Sequence, residues 1–150
     1  MNSLWRTVIS AAALAVMLLV SATAAQAADP LEGKWQLNVD KSTFRHTPGP
    51  KGQLRIYRLS EDGVERLTAR GVSSEKKPTL VKYEARYDGK DYDMTGSLGG
   101  DKISLRRIDA YTTESTQKRD GKPTVSAVRK VSMDGKALTV TSRGRTPRGL

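Results

Sequence analysis

From residue 33 onward, apolar and polar residues alternate along the chain. Trp35-Leu37-Val39 forms one apolar row, with Lys34, Gln36 and Asn38 on the opposite face. The pattern returns in Leu54-Ile56, Val81-Tyr83-Ala85-Tyr87, Ile103-Leu105 and Leu138-Val140. It also returns in Val125-Ala127-Val131-Met133, a row that carries Arg129 in the same phase. A period of two is the signature of strands with one face buried. Turn chemistry separates the rows: Asp88-Gly89-Lys90, Asp120-Gly121-Lys122 and Asp134-Gly135-Lys136, with Asp62-Gly63 and Gly99-Gly100-Asp101-Lys102 as relatives. Asp-Gly suits tight hairpins because both residues tolerate the positive φ that matches strand twist. The pattern predicts about nine strands, near 33–39, 53–60, 64–71, 79–87, 91–95, 102–108, 111–119, 124–133 and 137–143. No later stretch has helical spacing behind a capping residue, so helix is limited to one turn over Lys41–His46. The expected fold is all-β, an antiparallel up-and-down meander. Such a sheet closes into a barrel or leaves two exposed edges.

Composition tests this reading. Beyond residue 27, Leu, Ile, Val and Phe make up 22 of the remaining 150 − 27 = 123 residues, a fraction found in disordered chains of high net charge. A sheet wetted on one face, however, needs large apolar residues only at alternate positions. Five tyrosines add large rings whose hydroxyls can stay wet. We therefore expect one folded domain over 28–150.

The first 27 residues differ from the rest. Arg6 precedes an apolar run from Val8 to Val20, and small residues follow, ending in Ala25-Gln26-Ala27. This is the pattern of a secretory signal peptide, cleaved near Ala27-Ala28. The run falls short of the roughly 20 apolar residues a membrane-spanning helix needs. The chain has no cysteine, which excludes disulfides, thiolate catalysis and a cysteine-linked lipid anchor. The expected location is periplasmic or secreted, with no transmembrane anchor.

Four blocks carry a resemblance. They are Gly33-Lys34-Trp35-Gln36-Leu37-Asn38-Val39-Asp40-Lys41-Ser42-Thr43-Phe44, the YEARYDGKDYDMTG block of Tyr83–Gly96, the SLRRIDAYTTEST block of Ser104–Thr116, and the VSMDGKALTVTSRG block of Val131–Gly144. Together they resemble an uncharacterised family of bacterial exported lipocalin-like proteins. The resemblance implies a calycin-type β-barrel, the architecture of lipocalins and fatty-acid-binding proteins, and it implies no catalytic residues. Family members continue past the last glycine into a polar linker and a short strand. This chain ends at Arg143-Gly144-Arg145-Thr146-Pro147-Arg148-Gly149-Leu150, so the resemblance leaves open whether the barrel closes fully or stays incompletely closed.

Candidate chemistry is sparse. His46 is the sole histidine and lies in a Pro/Gly-rich loop, and no nucleophile motif accompanies it. We expect no enzyme, no cofactor and no metal, with an uncharacterised enzyme on a barrel scaffold as the remaining alternative. Asp88, Asp91 and Asp93 cluster, but hairpin chemistry accounts for them without a cation. The distinctive feature is arginine on apolar rows. By parity, Arg58 follows Leu54 and Ile56, Arg107 follows Ile103 and Leu105, and Arg129 lies within its row. A buried acidic head group needs such a partner, and the guanidinium fork supplies it. Alternatively, each arginine reaches the rim from a strand end, or a bulge reverses its phase. Trp35, Tyr57, Tyr83 and Tyr87 are candidate lining aromatics that equally serve as plain core. The sequence thus points to a non-enzymatic exported protein binding a small hydrophobic or acidic amphiphilic ligand inside a barrel. The net charge of +10 keeps an alternative open, binding to anionic envelope surfaces such as lipid head groups or lipopolysaccharide. No aromatic-plus-basic signature points to nucleic acid.

Overall fold

A computed structural model describes residues 27–45 and 48–144. The expected leader, up to residue 26, and His46 lie outside the described residues. Nine strands follow the alternating rows: β1 (Gly33–Gln36), β2 (Gly52–Leu59), β3 (Val64–Val72), β4 (Pro78–Arg86), β5 (Tyr92–Thr95), β6 (Lys102–Arg107), β7 (Thr112–Arg119), β8 (Lys122–Val131) and β9 (Leu138–Gly144). Each pairs antiparallel with the next in one sheet of order β1 to β9. There is no helix among the described residues. The tightest hairpin is the two-residue loop Asp120-Gly121 between the paired Arg119 and Lys122. Both loop residues have positive φ, 50° and 72°, as a hairpin turn matched to strand twist requires.

The sheet rolls up on itself. Glu65 on β3 and Arg129 on β8 meet across the interior at 2.7 Å, although four strands lie between theirs along the sheet's pairing order. No pairing register joins β1 to β9, so the result is a nearly closed barrel with one unsealed seam. β5 is a second thin place, holding β4 and β6 through two residue pairs each. There the β4–β5 turn reaches past it, Gly89 N–H donating to the carbonyl of Leu105 at 3.0 Å. Gly96, just after β5, approaches the Leu80 carbonyl so closely that a Cβ would lie 1.8 Å from its oxygen.

One end of the barrel is sealed by the segment before β1. Leu31 is buried in the core, alongside Tyr57, Tyr83, Leu105 and Val131. Its N–H donates to Asp29 Oδ1 at 2.9 Å, and its carbonyl accepts the Trp35 indole N–H at 2.8 Å. Asp29 also pairs with Arg107 at 2.5 Å. The opposite end carries the connections β3–β4, β5–β6 and β7–β8.

Four sequence expectations need correction. On β2 the inward row is Gln53, Arg55 and Tyr57, so Leu54, Ile56 and Arg58 face outward. Tyr57 is the deciding residue: fully buried, it sets the parity of the strand. β1 ends at Gln36, and Val39 is left 39% exposed. Met133 lies beyond the end of β8 and is also exposed. The helical turn expected over 41–46 is absent from its described part, 41–45; the chain instead makes a turn closed by Ser42 N–H on the Val39 carbonyl at 3.1 Å. Asn38 stabilises that turn by accepting the Lys41 N–H, as short amide side chains do.

Candidate functional site

Alternation puts Glu65, Leu67 and Ala69 of β3 on the same side as Tyr83 of β4 and Arg129 of β8. These side chains build a buried polar cluster inside an otherwise apolar end. Glu65 Oε1 accepts from Arg129 Nη1 at 2.7 Å and from the Tyr83 hydroxyl at 2.5 Å. The Tyr87 hydroxyl donates to its other oxygen. Arg129 Nε donates to Thr113 Oγ1 at 2.9 Å, and its Nη1 also reaches the Tyr83 oxygen at 3.0 Å. The guanidinium carbon stands 5.4 Å from the centroid of the Tyr57 ring.

Charge in this cluster is tightly bound. Isolated, either ion would carry a large desolvation cost; together, with hydroxyls on the remaining lone pairs, they form a neutral unit. Burial pushes the Tyr83 hydroxyl well above its ordinary range against the opposing pull of Arg129, with the Glu65 charge adding to the rise. Tyr87 is raised by the same burial and by Glu65. For Arg129 burial opposes the charge, but Tyr83 and Glu65 outweigh it and the guanidinium stays protonated.

Above this cluster lies a cavity of about 200 Å³, which continues toward the end opposite Leu31. Its wall passes from Leu67, Met94 and Ile103 to Gln53, Ser97 and Gln117. Two arginines line it, Arg55 and Arg129, and no carboxylate does. Arg55 is oriented from behind, its Nε donating to Gln53 Oε1 at 2.7 Å and its Nη1 to the Tyr57 hydroxyl at 3.3 Å. Arg129 Nη2 is buried and has no hydrogen-bond partner among the described residues. With Glu65 counted, the interior holds two positive charges and one negative. The arrangement can accept one more anion.

The candidate residues separate in space. Arg129, Tyr57 and Tyr83 line the cavity. Trp35 packs against the core near Leu31, outside the cavity wall. Tyr87 sits at the sealed end beneath Arg107, whose guanidinium carbon is 4.3 Å from its ring centroid. Arg107 therefore occupies a strand-end position, paired with Asp29. Arg58 is exposed on the outer face. Among the clustered aspartates, Asp91 pairs with Lys118 and Asp93 with Lys102, at 2.7 and 2.5 Å. Asp88 accepts from Lys90 N–H and the Tyr92 hydroxyl. Sequence reasoning missed Glu65 and Arg55. The phase of Glu65-Leu67-Ala69 was a usable signal for the first, and the phase shared with Tyr57 for the second. Comparison of the chain with protein-family models, curated proteins and solved structures gave no match.

Proposed function

We propose that this chain is an exported, non-enzymatic binding protein of the lipocalin-like kind, which takes up a small amphiphile by its acidic head. One observation carries the reading: a cavity lined by two arginines and no carboxylate, one of which holds a buried N–H group without a partner among the described residues. A carboxylate placed there would receive charge-assisted hydrogen bonds in a low-dielectric site, where they are strongest. Leu67, Met94 and Ile103 would meet its apolar body. The volume limits the guest, since pockets for drug-sized ligands run from about 300 to 1,000 Å³. A short-chain acid fits; a long acyl chain would leave its tail outside. The leader-like first 27 residues and the four resembling blocks support export to the periplasm or beyond, and the absence of a catalytic motif supports binding without turnover.

The test is calorimetric titration with octanoate, using octanol as the neutral probe of equal length. Octanoate should bind at least tenfold more tightly than octanol, and Arg55→Gln should remove most of that preference, since hydrogen bonds to charged groups contribute about 1.5–3 kcal/mol. Equal affinities for acid and alcohol, or no binding of either, would overturn the reading.

A further inference from the structure

The outer face of the first four strands holds a second feature, independent of the cavity. Register aligns its outward residues in rows: Lys34, Ile56, Thr68 and Lys82 in one, and Gln36, Leu54, Arg70 and Leu80 in the next. Arg58, Arg66 and Glu84 form a third. Glu84 pairs with Arg66 at 3.1 Å, which leaves Arg58 directly opposite a like charge without a carboxylate of its own. Lys34, Arg58, Arg70 and Lys82 make no ion pair among the described residues. Between them stand Leu54, Ile56 and Leu80, the last 45% exposed.

The outer face of β6–β9 is built differently. Arg106 lies opposite Glu114, Lys102 and Lys118 have their aspartates, and Ser104, Thr116, Ser126 and Thr141 add neutral polar positions, beside Lys130, Arg143 and a 40% exposed Val128. Uncompensated cations with apolar residues between them are thus most numerous on the β1–β4 side, where Lys34, Arg58, Arg70 and Lys82 stand with Leu54, Ile56 and Leu80, against Lys130, Arg143 and Val128 on the β8–β9 side. Like charges placed directly across a strand pair destabilise a sheet, so the Arg58–Arg66 row works against the fold that contains it.

We infer that the outer face of β1–β4 is a docking surface for an anionic lipid bilayer. Separated cations on a broad sheet match phosphate groups spread over a plane, and Leu54, Ile56 and Leu80 supply apolar contact at the interface depth. A nucleic-acid duplex would engage the cations and leave the leucines and isoleucine in water. Each Lys or Arg near an anionic membrane contributes about a fivefold gain in affinity, so four together form a substantial, salt-sensitive attraction.

The experiment is co-sedimentation of the intact chain with phosphatidylglycerol-containing vesicles, with pure phosphatidylcholine vesicles and a DNA duplex as comparison probes. Binding to the anionic vesicles should fall at least tenfold between low and 0.5 M salt. It should fall by two orders of magnitude in the variant Lys34→Gln/Arg58→Gln/Arg70→Gln/Lys82→Gln. The variant Lys130→Gln/Arg143→Gln, on the other side of the barrel, should lose much less. Leu80→Ser should weaken vesicle binding and leave DNA binding unchanged. Arg58→Gln alone should hold or raise stability while weakening vesicle binding, a combination that a structural role would not produce. Equal loss from both multiple variants, equal binding to neutral vesicles, or binding to DNA in preference to anionic vesicles would overturn the inference. Were the fourfold variant to misfold, the pair Lys34→Gln/Lys82→Gln gives the same discrimination with a smaller loss.

Discussion

The two ends of the barrel are made by the same strands and differ in what those strands point inward. Toward the sealed end, β2 contributes Tyr57, β3 Glu65, β6 Leu105 and β8 Arg129 and Val131, all buried. Toward the other end the same strands turn in Gln53, Ala69, Ile103 and Val125, and β9 turns in an exposed Ser142. The first group fills its space and satisfies its polar atoms except Arg129 Nη2; the second leaves about 200 Å³ unfilled. Stability and binding are thereby separated along one axis. A chain lean in large apolar residues concentrates them where the Leu31 segment excludes water, and leaves the rest of the lumen to a ligand.

The largest effect should come from splitting the buried ion pair. Glu65→Leu leaves Arg129 charged and uncompensated at 3% exposure, and should cost about 3–5 kcal/mol in urea unfolding. Pairing it with Arg129→Met should recover most of that loss, because an apolar replacement of both partners removes the uncompensated charge. A single variant no worse than the double would break the contrast between ends.

Packing gives the next effect. Leu105→Ala, at a fully buried position, should cost about 2–5 kcal/mol, whereas Gln53→Ala at the cavity wall should stay within about 0.5 kcal/mol. Similar losses at both positions would mean that the two ends are equally tight.

Alkali should act on the sealed end selectively. The Tyr83 and Tyr87 hydroxyls are both raised by burial. A raised acid favours its protonated form in the folded state, so its contribution is complete below the unfolded tyrosine value near 10. It is lost as pH climbs from there toward the folded values. Thermal unfolding followed upward from pH 9 should show stability falling above about pH 10. The variant Tyr83→Phe/Tyr87→Phe should flatten that fall, and an unchanged slope would contradict the coupling. Smallest of all, Asp29→Asn should cost up to about 1 kcal/mol, since its partner Arg107 is 31% exposed and solvent screens the pair. Calorimetric melting resolves a change of that size.

Strand positions were legible along the chain because alternation and Asp-Gly turns are local chemistry. The phase of each strand was less so. Leu54-Ile56 looks like a buried row, and Gln53-Arg55-Tyr57 looks like a wet one. The reverse holds because Tyr57 buries more surface than either aliphatic neighbour, and because Arg55 faces a polar cavity. Arg129 could be singled out by its apolar flanks, but its partner could not. Glu65 lies 64 residues away, and no spacing rule links positions joined only by the curl of a sheet.

Residue order was sufficient for the strand count, the hairpins, the meander and the presence of an arginine on a buried row. All of these follow from contacts between near neighbours, where backbone geometry and side-chain polarity act directly. Rolling the sheet settled three further matters: which arginine the protein neutralises itself, which one faces the lumen, and where the space remains. Those outcomes depend on side chains from distant strands competing for one interior, and long-range packing alone resolves such competition.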